Sequence, residues 1–317
     1  MGLFCNPIFI KKIFMSTFNA SHYSGIHVPL ITPFDSDLEI DWAALKRLVA
    51  LHARAGVAGF VPCGSTGEAS TLSMEEHKAV ISFVVEEASK HGDFKVIAAT
   101  GSNSTRECRE LTAHAMNAGA SACLVVTPYY VRPNMSGLNA HYSEIADVGI
   151  DIFLYNVPQR TGTNLSVDDV WRLHSSIPRI VGIKEATGDI NQLIDLADRF
   201  ADSDSFTILS GEDSLLFDCL AHGGSGSICA AALVYPDEIL QLYSLMAQGN
   251  FSSALALNRS LRPRVKTLFC ESNPVAIKEA MHVRFGTPPF VRPPLGAASE
   301  QTCARIQDLR LPREKLV

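Results

Sequence analysis

Two patterns of apolar and polar positions alternate along the chain: short β-branched runs and longer segments with helical periodicity. The short runs predict eight β-strands, at residues 27–32, 59–63, 96–100, 122–127, 152–156, 180–184, 207–210 and 226–230. Amphipathic helices are predicted between them, including residues 42–55, 74–91, 105–118, 167–175 and 190–200. Residues suited to N-capping precede these helices, namely Asp41, Ser73, Ser104, Ser166 and Asp189.

Eight strand-to-helix alternations favour a closed (β/α)8 barrel, or TIM barrel, over residues 23–235. The alternative is a doubly wound open sheet, which normally has a glycine-rich dinucleotide turn after its first strand. Here that strand ends in Thr32-Pro33-Phe34 instead. Residues 236–317 have a wholly helical pattern and predict the last barrel helix followed by a C-terminal helical appendage. Residues 1–22 lack the features of a signal peptide, so we predict a disordered N-terminal extension, with Met15 as an alternative start.

The composition narrows the classes of function. A net charge of −6 at pH 7 argues against binding to nucleic acid or to an anionic membrane surface. No apolar run approaches the ~20 residues needed to span a bilayer. The eight cysteines are scattered, without a CxxC pair or metal-ligand spacing, and indicate reduced thiols. We therefore expect a cytoplasmic protein that acts on small molecules and has no metal site.

The active site of a (β/α)8 barrel forms at the C-terminal ends of its strands, which makes Lys184 the leading candidate nucleophile. Lys184 ends an apolar strand, so its side chain is expected in the barrel mouth, partly removed from water. Removal from water favours the free amine, which can attack a ketone carbonyl. The alternative is a structural ion pair with Glu185, which the opposite orientation of adjacent strand residues disfavours.

Other polar residues at strand ends can assist such a lysine. Tyr155 ends the neighbouring strand, and its phenol can shuttle the protons that imine formation requires, with Thr66 as a relay. The glycines around Thr66 allow close approach of backbone N–H groups to a carboxylate, although an ordinary turn is the alternative. Arg160 offers a bidentate clamp for a carboxylate, or is a solvated loop charge. The Tyr129-Tyr130 pair is more commonly a packing feature.

Four motifs at these strand ends together carry a specific resemblance. In chain order they are Gly64-Ser65-Thr66-Gly67-Glu68, Thr127-Pro128-Tyr129-Tyr130, Tyr155-Asn156-Val157-Pro158-Gln159-Arg160-Thr161-Gly162 and Gly182-Ile183-Lys184-Glu185-Ala186-Thr187-Gly188. The set resembles that of the dihydrodipicolinate synthase / N-acetylneuraminate lyase family, and the similarity extends from about residue 25 to about residue 311. The resemblance implies a class I aldolase-like barrel that forms a covalent imine with pyruvate and needs no other cofactor.

The resemblance also implies a role for each matched residue. Lys184 takes the Schiff-base role, and Tyr155 is the proton-transferring phenol beside the imine. Thr66 links Tyr155 to Tyr130, which in this family reaches across a subunit contact into the neighbouring active site. A homotetramer built from two tight dimers is therefore implied. The implied substrate-binding residues are Ser65, Thr66, Arg160 for the carboxylate of the second substrate, and the backbone carbonyls of Gly211 and Ile228.

Two positions guide the choice of aldehyde within the family. Arg160 stands where synthases that take aspartate semialdehyde have an arginine and sialic-acid lyases usually have an apolar residue. Gly211 is followed by Glu212-Asp213-Ser214, where the lyases tend to have an Asp-Glu pair. Both favour condensation of pyruvate with L-aspartate 4-semialdehyde. The alternative is an N-acetylneuraminate lyase or another sugar-acid aldolase or dehydratase. A binding-only relative that senses a 2-oxo acid is a hypothesis of another class, which the complete residue set disfavours.

A feedback site for lysine, present in some family members, is matched only in part. His77, Asn103, Glu107 and Tyr129 match, whereas Met74 and Ala69 stand where sensitive members have histidine and serine. We therefore expect weak or absent inhibition by lysine. A dose-response with millimolar L-lysine checks this expectation, and strong inhibition would contradict it.

Overall fold

The computed structural model describes residues 22–203 and 205–314, so the predicted extension at residues 1–22 lies almost wholly outside the described residues. Eight parallel strands form a closed barrel in chain order, with β1 paired to both β2 and β8. The strands β1 to β8 are Gly25–Pro29, Gly59–Val61, Lys95–Ala99, Ala122–Val126, Ile152–Asn156, Ile180–Glu185, Thr207–Ser210 and Gly226–Ile228. The predicted (β/α)8 barrel is confirmed.

Helices follow the strands and then form the C-terminal part of the chain. The helices α1 to α12 are Trp42–Ala55, Met74–Ser89, Thr105–Ala118, Met135–Ala146, Pro158–Thr161, Val167–Ser176, Ile190–Arg199, Leu216–Ala221, Pro236–Ala247, Phe251–Leu268, Val275–Phe285 and Glu300–Asp308. All five predicted N-caps accept a hydrogen bond from the first turn of their helix. In the described part of the chain, no helix is long and apolar enough to cross a bilayer.

The predicted end of the first strand differs from the observed one. The prediction runs to Thr32, whereas β1 ends at Pro29. Leu30, Ile31 and Thr32 remain fully buried beyond the last paired residue. A hydrophobic pattern reports burial rather than backbone pairing, so it extends the strand past the point where the chain leaves the sheet.

Alternation along the strands separates the barrel interior from the layer beneath the helices. On β5, Phe153 and Tyr155 point into the interior, while Ile152 and Leu154 pack against the helices. Tyr23 joins the interior cluster and donates hydrogen bonds to the Ser121 carbonyl (2.9 Å) and Asp151 Oδ2 (3.1 Å). These acceptors stand just before β4 and β5, so Tyr23 covers the N-terminal end of the barrel.

A glycine on β6 makes room for a large interior ring. A Cβ atom at Gly182 would lie 2.4 Å from Cε1 of Phe153, far inside van der Waals contact. The glycine therefore lets Phe153 fill the interior between β5 and β6. Phe153 and Gly182 are register partners, and Tyr155 and Lys184 are the register partners two residues further along the same two strands.

A buried ion pair joins the C-terminal appendage to the loop after β2. The Glu68 carboxylate and the Lys278 ammonium are in direct contact, and both side chains are 0% exposed. Lys278 also donates to the Phe290 carbonyl (2.7 Å), and the Arg292 N–H donates to Glu68 Oε2 (3.0 Å). Burial lowers the pKa of Lys278 to about 8, against the opposing effect of the Glu68 charge. The pair thus connects α11 to the segment that carries Thr66.

Replacing Lys278 with Met should destabilise the fold by about 3–5 kcal/mol, because a buried carboxylate would lose its partner. Urea unfolding measures this loss at fixed protein concentration. The exposed Lys266→Met on α10 is the matched control, with an expected change within about 0.5 kcal/mol. The double variant Glu68→Gln, Lys278→Met should recover part of the loss, and equal losses for Lys278→Met and Lys266→Met would contradict the role of the pair.

Candidate active site

A cavity of about 460 Å³ opens at the C-terminal ends of the barrel strands. Its lining comes from the loops after β2, β3, β4 and β5 and from the C-terminal appendage. Six residues that the sequence predicted for the site are found in this lining: Ser65, His77, Glu107, Tyr129, Tyr155 and Arg160. Half of the twelve residues predicted for the site thus line one cavity at the C-terminal face of the barrel, whereas Thr66, Gly211 and Ile228 are among those that do not.

Lys184 and Tyr155 are neighbours across the β5–β6 pair. They are direct register partners, and Nζ of Lys184 lies 4.4 Å from the centroid of the Tyr155 ring. Lys184 is 7% exposed and Tyr155 8%, so the amine is largely shielded from water. Lys184 does not itself line the cavity, but Tyr155 does. The arrangement places a primary amine against a phenol at the base of the site.

The alternative of a Lys184–Glu185 ion pair is not formed. The Glu185 carboxylate accepts hydrogen bonds from Asn156 Nδ2 (3.0 Å), Gln192 Nε2 (3.1 Å) and the Thr187 N–H (2.7 Å). Burial raises the pKa of Glu185, and these hydrogen bonds oppose that effect. Glu185 therefore holds the loop after β6, and the Lys184 amine remains on the interior side.

Gly211 and Ile228 complete the surroundings of the lysine. A Cβ atom at Gly211 would lie 2.8 Å from both Cγ and Cε of Lys184, so the path of the lysine side chain requires a glycine here. The Gly211 N–H donates to the Glu185 carbonyl (2.6 Å), which holds β7 against β6. Ile228 belongs to the interior apolar cluster that contains Tyr155. Strands β7 and β8 thus bring both residues to the same end of the barrel interior.

The loop that carries Ser65 and Thr66 is folded against the barrel. Thr32 Oγ1 donates to the Gly67 carbonyl (2.7 Å), and the Gly67 N–H donates to the Gly64 carbonyl (3.0 Å). A Cβ atom at Gly67 would lie 3.0 Å from the Leu30 carbonyl oxygen, so this close approach favours glycine. Thr66 is 4% exposed. Its hydroxyl is fixed within the fold, in contrast to the hydroxyl of a surface turn.

Arg160 and the tyrosine pair occupy the rim. Arg160 is exposed on the short helix α5, and its Nη2 donates to the Asn273 carbonyl (3.3 Å). Tyr129 lines the cavity and is 39% exposed. Tyr130 does not line it: the residue is 90% exposed, with a positive φ of 74°. A bulky residue rarely adopts this backbone conformation, so the loop holds Tyr130 outward at a cost in strain.

The residues matched to a lysine effector site are brought together in part. His77, Glu107 and Tyr129 line the same cavity, as do Met74 and Ala69, whereas Asn103 does not. A ring nitrogen of His77 lies 2.8 Å from the Ala99 carbonyl oxygen, and burial lowers the pKa of His77. Glu107 Oε2 accepts a hydrogen bond from Ser102 Oγ (2.9 Å).

Two residues of the site received no role from the sequence. Asn273, between α10 and α11, donates from Nδ2 to Thr66 Oγ1 (2.9 Å). Asp213 follows β7 and accepts hydrogen bonds from the N–H groups of Ala230 (3.1 Å) and Ala231 (2.5 Å). Its position after a strand was the available signal for Asp213. The appendage offers no comparable signal for Asn273, because the strand-end rule does not reach it.

Burial sets the protonation of Asp213. The side chain is 7% exposed, and desolvation raises its pKa from 3.8 to about 6, against the opposing effect of the two N–H donors. The positive charge of Lys184 also opposes the rise. Within residues 22–203 and 205–314, no group of three His, Cys, Asp or Glu side chains is placed to hold a metal ion.

Comparisons with known proteins agree on one family. The sequence model of the dihydrodipicolinate synthetase family matches residues 22–309 of this chain. The 4-hydroxy-tetrahydrodipicolinate synthase of Methanospirillum hungatei is 39% identical over 289 residues, which are 90% of this chain and 98% of that relative. The crystal structure of dihydrodipicolinate synthase from Aquifex aeolicus superposes with a TM-score of 0.87 at 37% identity, covering 92% of this chain and all 100% of that one.

A further solved structure contains a small molecule. The chloride-inhibited dihydrodipicolinate synthase from Acinetobacter baumannii, complexed with pyruvate, has a TM-score of 0.86 and 39% identity. The match covers 90% of this chain and 97% of that chain.

Replacing Asp213 with Asn should change how stability depends on pH. Between about pH 4 and pH 6 the folded chain binds more protons at Asp213 than the unfolded chain, so the stability of the parent falls as pH rises. The free energy of unfolding of the parent minus that of Asp213→Asn should therefore fall by up to about 3 kcal/mol over this range. Urea unfolding at several pH values checks this, with the exposed Asp198→Asn on α7 as control. A difference that stays constant with pH would contradict the assignment.

Proposed function

The chain belongs to the dihydrodipicolinate synthetase family, and from this membership we propose that it condenses pyruvate with L-aspartate 4-semialdehyde to 4-hydroxy-tetrahydrodipicolinate. This lyase reaction belongs to the biosynthesis of lysine and diaminopimelate. The observation that carries the proposal is the buried Lys184 amine, 4.4 Å from the centre of the Tyr155 ring at the C-terminal end of the barrel.

The proposed chemistry proceeds through an imine on Lys184. The free amine attacks the ketone carbon of pyruvate, and loss of water from the carbinolamine leaves the imine. The imine withdraws electrons, so the methyl group of pyruvate loses a proton and becomes an enamine carbon. That carbon attacks the aldehyde carbonyl of the second substrate. The amino group of the second substrate then attacks the imine carbon, which closes the ring and releases the lysine.

Tyr155 is proposed to transfer the protons of these steps. Its ring lies against Nζ of Lys184, where a phenol can give a proton to the departing hydroxyl and take one from the methyl group. Thr66 is proposed as the relay to this phenol. No metal or organic cofactor is part of the proposal, because the covalent imine itself supplies the electron sink.

Tyr130 is proposed to act in the active site of a neighbouring subunit. Its 90% exposure and strained backbone are difficult to explain in an isolated chain, since exposure of a large ring gains nothing in water. A partner surface that receives the ring would account for both features. We propose a homotetramer of two tight dimers, in which this contact lies within each tight dimer.

Arg160 is proposed to select the aldehyde. It lies exposed at the rim of the cavity, where its guanidinium can form two parallel hydrogen bonds with the carboxylate of L-aspartate 4-semialdehyde. Ser65 and Thr66, with the carbonyls of Gly211 and Ile228, are proposed to bind pyruvate. We also propose a cytoplasmic location, which the free state of the seven cysteines in the described residues supports.

Steady-state turnover tests the proposed reaction. The purified protein is assayed with pyruvate and L-aspartate 4-semialdehyde, and separately for cleavage of N-acetylneuraminate. We expect turnover in the first assay and none in the second. Cleavage of N-acetylneuraminate without turnover of the semialdehyde would contradict the proposal, and the absence of both would indicate a binding-only protein.

Borohydride reduction in the presence of pyruvate should trap a covalent adduct on the peptide that contains Ile183-Lys184-Glu185. Lys184→Ala should abolish the adduct, because Lys184 supplies the amine that lies beside the Tyr155 ring. Peptide mapping by mass spectrometry makes the measurement. The matched control is Lys46→Ala, whose side chain is 61% exposed and which should leave labelling unchanged. An adduct on another lysine would rule out the assignment.

A further inference from the structure

Asn273 links the proposed proton relay to the proposed carboxylate clamp. Its side-chain nitrogen donates to Thr66 Oγ1 (2.9 Å), and its backbone carbonyl accepts from Arg160 (3.3 Å). These partners lie 207 and 113 residues away along the chain. Asn273 also lines the cavity. A residue of the appendage therefore reaches into the active site and contacts two residues with different proposed roles.

The direction of the Asn273–Thr66 hydrogen bond limits what the hydroxyl can do. A threonine hydroxyl has one hydrogen and two lone pairs. The amide N–H of Asn273 occupies one lone pair, so the hydroxyl hydrogen is not used in this contact. Thr66 is only 4% exposed, so solvent has little access to that hydrogen. The hydrogen remains available to an acceptor within the site.

The contact with Thr66 is made by the nitrogen end of the Asn273 amide. Among the described residues, Oδ1 of Asn273 is buried without a hydrogen-bond partner. The hydrogen bond to Thr66 is therefore the one that holds this amide in place.

We propose that Asn273 is a positioning residue that fixes the Thr66 hydroxyl as a proton donor toward the phenol of Tyr155. The inference rests on the proposed imine chemistry and adds a direction to it. When the Tyr155 phenol gives its proton to the leaving hydroxyl of the carbinolamine, water departs and a phenolate remains. Thr66 passes its hydrogen to that phenolate, and its second lone pair accepts a replacement proton from the next hydroxyl of the relay. The one hydrogen and both lone pairs of the Thr66 hydroxyl then each have a partner: the phenolate of Tyr155, the amide of Asn273 and the next hydroxyl of the relay.

Asn273→Asp is the sharpest test, because it keeps the shape of the side chain and replaces the donor with an acceptor. The introduced carboxylate should take the Thr66 hydrogen and block the relay, lowering the rate of imine formation with pyruvate on the order of 100-fold. Timed borohydride trapping and mass spectrometry measure that rate without the aldehyde. Because protonation restores a donor, the ratio of parent to variant rates should shrink as pH falls from about 7 to about 5.

Two further variants separate this role from a merely structural one. Thr66→Val removes the hydroxyl, and adding Asn273→Asp to it should slow imine formation no further. Asn139→Asp introduces the same charge at an exposed position on α4, where its oxygen accepts from Ser176 Oγ (3.3 Å), and should leave the rate unchanged. Thermal denaturation checks that all variants are folded.

Parental rates of imine formation in Asn273→Asp would overturn the inference. The inference would also be overturned if the ratio of parent to Asn273→Asp rates did not change with pH. It would be overturned as well if Asn273→Asp slowed imine formation further in the Thr66→Val variant. The proposed function fails differently: the parent would form the imine with pyruvate but would not turn over L-aspartate 4-semialdehyde. The rate of imine formation decides the role of Asn273 in either case.

Discussion

Closure of the barrel is the constraint on which the rest of the structure depends. Pairing of β1 with β8 joins the first strand of the barrel to its last, and the parallel order then places every C-terminal end of the barrel strands at one face. A side chain at the end of any strand is brought towards the same cavity. Loops far apart in sequence can therefore supply one site, while the N-terminal end is covered by Tyr23.

In the closed barrel, two features determine the position of the Lys184 side chain. They are the alternation of side chains along the strands and the absence of a side chain at Gly182 and Gly211. Tyr155 and Lys184 are register partners on adjacent strands, so both face the interior and touch. Gly182 admits the ring of Phe153 between the strands, and Gly211 leaves space for the stem of the lysine. The opposite face of β6 carries Glu185 into a separate hydrogen-bonded network, which removes it as a partner for the amine.

The appendage completes the site instead of only extending the barrel. Its buried Lys278 binds Glu68 at the end of the loop that begins at Gly64, and its Asn273 binds the Thr66 hydroxyl within that loop. Two kinds of contact thus act on one segment: a charge pair that anchors it and a directed hydrogen bond that orients its functional group. The position of this loop therefore depends on the C-terminal appendage, whose residues bind it. A change that destabilises the appendage is expected to alter the geometry of the site as well.

The sequence by itself determined the barrel, its helix caps and the position of Lys184, because strand alternation, helical periodicity and capping are properties of neighbouring residues. It left unnamed the helix Met135–Ala146 and the short helix Leu216–Ala221, and it extended β1 beyond its pairing, since burial and hydrogen bonding diverge there. Only the tertiary structure decided the contacts of Asn273, Asp213 and Lys278. Their partners lie far along the chain, and no local pattern encodes which polar group a distant loop will meet.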